Sequence, residues 1–284
     1  MIKKNYLKIY AKSFYWAGFF LPKKVYEKCS DLYDFCRFID NIADEENDLK
    51  IKIEKLDNLK NEFKSKNFNN PIIKGMWNLI DEINFSSEII YDLFDGVESD
   101  LKEKVKLNSK KELLVYSYRV AGTVGLMMAK ILNVKEEYAL KGAIDLGIAM
   151  QLTNISRDVI EDSKSNRFYI PSNFNSIKDT IMIADQFYNS SFYSIKEIPI
   201  KFQLSILIAR RVYRKIGYKI LNKNNFENYK KSGKIYVNIF EKFYESILSV
   251  LDYVKLQLIK KKSTHQLQNE HNLILEEINM YERF

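Results

Sequence analysis

The stretch "QLTNISRDVIED", residues 151–162, carries Gln151, Asn154, Asp158 and Asp162 at spacings of three, four and four. Each helical residue turns by about 100°, so these four polar groups share an arc of about 80°. Leu152, Ile155, Val159 and Ile160 stand between them, and "YALKGAIDLGIAM" (138–150) precedes them; both suit a buried helix. A surface helix is an apolar stripe on a polar cylinder. Here the pattern is inverted, and the spacing predicts a buried helix that turns carboxylates and amides toward an interior cavity.

A second stretch matches the first. In "DLYDFCRFIDNIADE" (31–45), Tyr33, Arg37, Asp40 and Asp44 fall within about 60° of arc. Leu32, Phe35, Cys36, Phe38, Ile39 and Ile42 accompany them. A lone D-x-x-x-D is common on a solvated helix face, and Asp31, Asp34, Asp92 and Asp95 are read that way. The two pairs differ, because Arg, Asn or Gln shares their stripe amid apolar neighbours. Four carboxylates brought into such surroundings need cations, since each costs several kcal/mol if left unpaired. Arg37 and Arg157 offer two charges, and hard divalent ions are the natural source of the rest. Mg²⁺ binds through one or two carboxylates and keeps positions for water and substrate phosphate. Two such helices across a cavity would clamp a diphosphate and make it a good leaving group. The implied chemistry is ionisation of an allylic diphosphate in an aromatic-lined pocket, for which 19 Tyr and 18 Phe supply π faces.

Bulk properties agree. The 284 residues are 46% hydrophobic and 29% charged, which marks a soluble globular chain with a substantial core. Nine Gly and four Pro favour long helices over a turn-rich sheet protein. The expected helices cover roughly 5–20, 23–45, 50–65, 71–82, 87–106, 110–132, 135–163, 178–193, 197–222, 235–262 and 266–281. No fixed-period repeat, linker or charge shift divides the chain, so residues 1–284 are expected to form a single all-α domain. Neither G-x-G-x-x-G after a strand nor a P-loop occurs. The net charge of +8 reflects a Lys-rich surface more than a nucleic-acid reader, for which no recognition motif exists. Cys29 and Cys36 lie too far apart on a helix for a disulfide. With only His265 and His271 besides, no zinc site of the usual kind is expected, and a reducing cytoplasm fits. Lys8 and Lys12 interrupt the N-terminal apolar run, and no stretch reaches a membrane span. Gly122 and Gly125, costly in a helix of Val, Leu and Met, point to a helix break or a close approach.

Four motifs in order, "KSFYWA", "YDFCRFIDNIADE", "YSYRVAGTVGLMM" and "DLGIAMQLTNISRDVIEDSKSNRFYIP", make the chain resemble the squalene and phytoene synthases, head-to-head prenyltransferases of the all-α isoprenoid synthase fold. The resemblance runs from "AKSFYWAGFFLP" to "ARRVYRKIGYKIL" and is nearest to bacterial phytoene synthases. It implies that Asp40, Asp44, Asp158 and Asp162 ligate Mg²⁺, for which Mn²⁺ could substitute, with Asn154 assisting. It places Lys12, Ser13, Arg37, Arg119, Gln151 and Arg157 on diphosphate or its water, and Tyr33, Tyr116 and Tyr118 in the cavity beside the reacting carbons. Implied partners are isoprenyl diphosphates, with NADPH only for a squalene synthase, downstream carotenoid enzymes, and a peripheral site at the inner face of the plasma membrane. A non-catalytic scaffold relative is the reading from another class; it would lose the Asp residues first, and all four are present. Three departures stand out: Asn41 within "DNIAD", Ser156 in place of an apolar residue, and Asn166 where glycine is usual.

Overall fold

Asparagine and serine punctuate this chain where glycine and proline are scarce. The computed structural model describes residues 16–18, 21–45, 48–259, 265 and 268–284. Asp48 caps α2 (Leu49–Lys64), Asn70 caps α3 (Pro71–Ile83) with Pro71 in its first turn, and Ser109 caps α5 (Lys110–Ser117). Asn173, Asn225 and Asn238 do the same for α8 (Phe174–Ser194), α10 (Phe226–Lys231) and α11 (Ile239–Leu258), each side chain accepting a backbone N–H of the first turn. Such caps contribute about 1 kcal/mol apiece. Asn84, Asn133, Asn166 and Asn224 adopt positive φ, where asparagine is the best-tolerated residue after glycine.

The remaining helices are α1 (Lys23–Asp44), α4 (Glu88–Glu98), α6 (Thr123–Ile131), α7 (Glu137–Lys164), α9 (Ile200–Leu221) and α12 (Asn269–Leu275). The architecture is all-α. Helix α7 packs against α6, α8 and α9, and its apolar residues, among them Ile144, Ile148, Leu152 and Ile155, are buried. Helix α1 packs against α2, α3, α4 and α6, and α11 lies along α9.

Residues 110–132 form two helices joined by a π turn at Tyr118–Gly122. A Cβ on Gly125 would sit 2.2 Å from the carbonyl oxygen of Ala143, and one on Gly147 2.2 Å from that of Ala121. The break and the close approach expected of this glycine segment both occur. Helix α4 ends at Glu98, well short of 106, because Val105 and Lys106 (β1) pair in parallel with Arg167 and Phe168 (β2). The Val105 amide donates to the Asn166 carbonyl and the Leu107 amide to that of Phe168. Helix α8 starts at Phe174, earlier than 178, because Asn173 caps it, and α10 occupies part of the expected loop 222–234. The segment near 266–281 resolves into α12 and a 3₁₀ turn at Met280–Arg283. Most of the helix expected over 5–20 lies outside the described residues.

One acidic residue departs from the sequence reading, and a second, Asp145, was not singled out by it. Asp92 is buried, not solvated: it accepts the Tyr118 hydroxyl at 2.9 Å and the Arg283 guanidinium at 2.9 and 3.1 Å. Asp145, in the first third of α7, is fully buried and accepts from the Nε2 atoms of His265 and His271, each at 2.8 Å, and from the Ser190 hydroxyl. Burial raises its pKa, but the two imidazole donors outweigh that and hold the carboxyl below its ordinary range. The possible ligand atoms of Asp145, His265 and His271 lie within 4.8 Å of one another. His271 Nδ1 accepts the Gln268 amide at 3.0 Å, which leaves its ring proton on Nε2, facing Asp145. That is the geometry of a hydrogen-bonded clasp between the C-terminal segment and α7 rather than of a metal site.

Candidate active site

The two acidic stripes meet through residues that belong to neither. Arg167, at β2, donates to Asp44 Oδ1 at 2.9 Å and to the Ala43 carbonyl at 3.1 Å, tying the end of α1 to the strand after α7. Arg37 stands 3.3 Å from the other Asp44 oxygen. Asp100, after α4, accepts the Tyr116 hydroxyl at 2.7 Å and the Tyr169 hydroxyl at 2.8 Å. The two tyrosine rings stack at 4.8 Å, and their hydroxyls lie 3.1 Å apart.

Electrostatics reports the convergence. Burial pushes Asp40 up to about 7; Asp44 and Asp100 add to the rise, and Arg37 and Arg167 oppose it. Burial also pushes Asp162 up to about 7, with Asp158, Glu161 and Asp100 adding to it and Arg167 again opposing. Asp100 and Arg167 therefore act on both stripes. Burial raises Asp100 itself, against its tyrosine donors and Arg167. Carboxylates gathered this closely hold protons near neutrality unless a cation replaces them.

On α7, the Arg157 guanidinium forks onto Asp158, with Nε at 2.8 Å from Oδ1 and an Nη on Oδ2. Lys234 lies 3.6 Å from Asp158 and 2.7 Å from Glu161. Asn154 Oδ1 is buried with no hydrogen-bond partner, a costly state for an amide oxygen. An oxygen so placed on the stripe of Asp158 fits a hard divalent cation, which takes oxygen ligands. Gln151 is half-buried on the same helix. Tyr33 on α1 is half-buried, its hydroxyl pKa raised by burial and by Tyr213, which also neighbours Arg157 and Asp158.

The structure thus brings together Tyr33, Arg37, Asp40, Asp44, Tyr116, Arg157, Asp158 and Asp162. Tyr118 and Arg119 go elsewhere. Tyr118 is fully buried with its hydroxyl on Asp92, and Arg119 stands 3.6 Å from Glu277. Lys12 and Ser13 lie outside the described residues. Asp100, Arg167, Tyr169, Tyr213 and Lys234 are neighbours that the helical spacing did not reveal. Only Arg167, within "NRFYIP", gave a signal, as one of eight arginines in a lysine-rich chain.

Two of the three departures find local explanations; nothing in the structure explains Asn41. Asn166 has φ 56°, so it holds the left-handed turn a glycine would supply and sets Arg167 in place. The buried Ser156 hydroxyl donates to the Leu152 carbonyl at 2.8 Å and is satisfied within its helix.

Comparison with known proteins agrees with this geometry. The squalene/phytoene synthase family profile matches residues 7–177. The 15-cis-phytoene synthase of Pantoea ananas is 26% identical over 243 residues, covering 74% of this chain and 78% of that one. The phytoene synthase of Cereibacter sphaeroides is 30% identical over 241 residues, covering 73% and 68%. Similarity to the 15-cis-phytoene synthase of a Paracoccus species reaches 34% but spans 45% of this chain and 48% of that one. Among solved structures, a dehydrosqualene synthase in complex with ligand superposes with a TM-score of 0.73 at 25% identity, covering 88% of this chain and 94% of that one. With its two acidic helices, its all-α isoprenoid synthase fold and these relatives, the chain belongs to the squalene/phytoene synthase family of prenyltransferases.

Proposed function

We propose that the chain, acting as one domain over residues 1–284, is a phytoene synthase that joins two molecules of geranylgeranyl diphosphate head to head. The observation that carries this reading is the convergence of two D-x-x-x-D helices through Arg167 and Asp100, supported by phytoene synthases among its relatives. Asp40, Asp44, Asp158 and Asp162 would hold Mg²⁺ with Asn154. When bound, the ions neutralise charge on a departing diphosphate. Arg37, Arg157 and Gln151 orient diphosphate, and Lys12 and Ser13 are further diphosphate contacts. The donor's C1–O bond breaks, diphosphate leaves, and the acceptor's double bond attacks the resulting allylic cation. Proton loss gives a cyclopropylcarbinyl diphosphate; a second ionisation, rearrangement and proton loss give phytoene. No histidine lies in the motifs, so diphosphate or water takes the proton. Tyr33 and Tyr116 present π faces or hydroxyls to the cation, and burial raises both phenols, so they stay neutral.

A second reading keeps the mechanism and shortens the substrate. The superposition on a dehydrosqualene synthase favours farnesyl diphosphate going to dehydrosqualene, or to squalene with NADPH. Incubation with Mg²⁺ and either diphosphate, with and without NADPH, separates them. A forty-carbon hydrocarbon from the longer substrate is expected; a thirty-carbon product alone selects the second reading. No product from either, with diphosphate still bound, contradicts both.

A further inference from the structure

Four cations crowd one side of α9, and the most buried of them lacks a carboxylate. Arg211 meets Glu245 at 2.9 Å and Asp252 at 2.8 Å, and Arg214 forks onto Asp185 at 2.5 and 2.7 Å. Lys215 stands 3.6 Å from Glu245, which it shares with Arg211. Four cations thus face three carboxylates, and among the described residues the one left without an ion pair is Arg210, only 4% exposed. Its guanidinium donates instead to the Tyr188 carbonyl, through Nε at 3.0 Å and an Nη at 2.8 Å. A carbonyl has two lone pairs. That of Tyr188 lies inside α8 and also accepts the Ser191 hydroxyl at 2.9 Å, so it serves more donors than it can satisfy. The Phe192 ring, 5.0 Å from the guanidinium carbon, offers only a π face and shares it with Lys255 at 5.5 Å. Burial and then Arg214 push Arg210 down to about 10, against the pull of Asp252 from farther off. Arg210 is still charged at neutral pH, and a buried charge without its counter-ion is destabilising.

Arg210, Arg211, Arg214, Lys215, Tyr218 and Glu245 line a cavity of about 100 Å³ between α9 and α11. We propose that this cavity binds one phosphate-type oxyanion, which supplies the counter-ion that Arg210 lacks. Guanidinium forks match the oxygens of phosphate, and the Lys215 ammonium adds a point charge. Glu245 does not oppose an anion, because Arg211 and Lys215 both neutralise it. The volume equals that of about three waters at ~30 Å³ each, room for one tetrahedral anion and not for an isoprenyl chain. The cavity is separate from the candidate active site. On α9, Tyr213 neighbours Arg157 and Asp158. Arg211, Arg214, Lys215 and Tyr218 turn about 100–160° away from it. Ala17 meets the far side of α9 at Ser205, about half a turn round from Arg214. Since Arg210 and Arg214 hold α8 and Arg211 holds α11, occupancy strengthens the packing of three helices at once. Oxyanion binding there needs no catalysis, so it and product formation fail independently.

The test is thermal unfolding and calorimetric titration of the full chain with inorganic phosphate in chelator, against chloride at equal ionic strength. The wild type is expected to bind one phosphate and to gain melting temperature beyond the chloride control. Arg210→Met replaces the unpaired charge with an apolar chain. It is expected to bind phosphate about tenfold more weakly or worse, the loss of a charge-assisted bond. Lys215→Gln, at a half-buried position, is expected to weaken binding as well and keeps the comparison available if Arg210→Met fails to fold. Arg157→Gln, at the candidate active site, is expected to bind phosphate as the wild type does. Equal melting shifts in phosphate and chloride overturn the proposal. So does binding that survives in Arg210→Met and Lys215→Gln alike, and so does binding that Arg157→Gln alone abolishes, which places the anion in the candidate active site.

Discussion

Asp100 shows what single residues contribute and what a helical period conceals. Asp40, Asp44, Asp158 and Asp162 were legible because a spacing of four repeats on a helix. Asp100 stands in a turn and Arg167 in a two-residue strand, outside any helical period, and the pairing of residues 105–106 with 167–168 holds Arg167 beside the stripes. Asp100→Asn keeps the shape and removes a charge that raises both Asp40 and Asp162. It is expected to shift the pH dependence of metal binding to lower pH and to cut turnover by about tenfold, a barrier change of about 1.4 kcal/mol. An unchanged pH profile would contradict the coupling. Asp145 makes a second residue-scale case. Its acidity drew no notice within an otherwise apolar run, and its histidine partners lie more than 100 residues away. Asp145→Asn removes two charge-assisted bonds and should cost about 3 kcal/mol at neutral pH. Its carboxyl is held below the unfolded value, so this stability is present above the ordinary carboxylate range and is lost as pH falls through the folded pKa. Melting temperatures of wild type and variant should differ at pH 7 and converge on acidification.

At the scale of elements, the existence of the long helices among the described residues was legible, whereas their ends and the short helix α10 were not. Apolar periodicity is set by burial, whereas ends are set by single capping side chains such as Asn173 and Asn225. The crossing of α6 and α7 depends on glycine. Gly147→Ala would place a methyl 2.2 Å from the Ala121 carbonyl oxygen and 2.7 Å from its carbon. Backbone cannot yield as a side chain does, so the helices must part, at a cost of about 1–3 kcal/mol. Gly75, inside α3 with nothing within 4 Å of its added Cβ, is the contrast. Gly75→Ala should stabilise the chain by about 0.5–1 kcal/mol through the helix backbone alone. Urea unfolding of the two variants reads both signs, and equal effects would contradict the close crossing.

For the whole molecule, the cluster of acids makes stability depend on pH and on cations together. Asp40 and Asp162 sit at about 7 when folded, against an ordinary carboxylate value near 4. The folded state therefore binds more protons between those values, and stability falls as pH rises across them. In chelator, the melting temperature is expected to drop between pH 6 and pH 8, and Mg²⁺ is expected to restore it more at pH 8 than at pH 6. A flat profile would mean that the acids are solvated and apart. That leaves the claim on which the rest depends, that α1 and α7 form one site. Calorimetric titration of Mg²⁺ in the presence of inorganic diphosphate, on the wild type, Asp44→Ala, Asp162→Ala and the double variant, tests it most directly. If the helices share one site, either single change abolishes most of the binding and the double variant loses little more; if the losses simply add, the two stripes bind separately and the site described here is wrong.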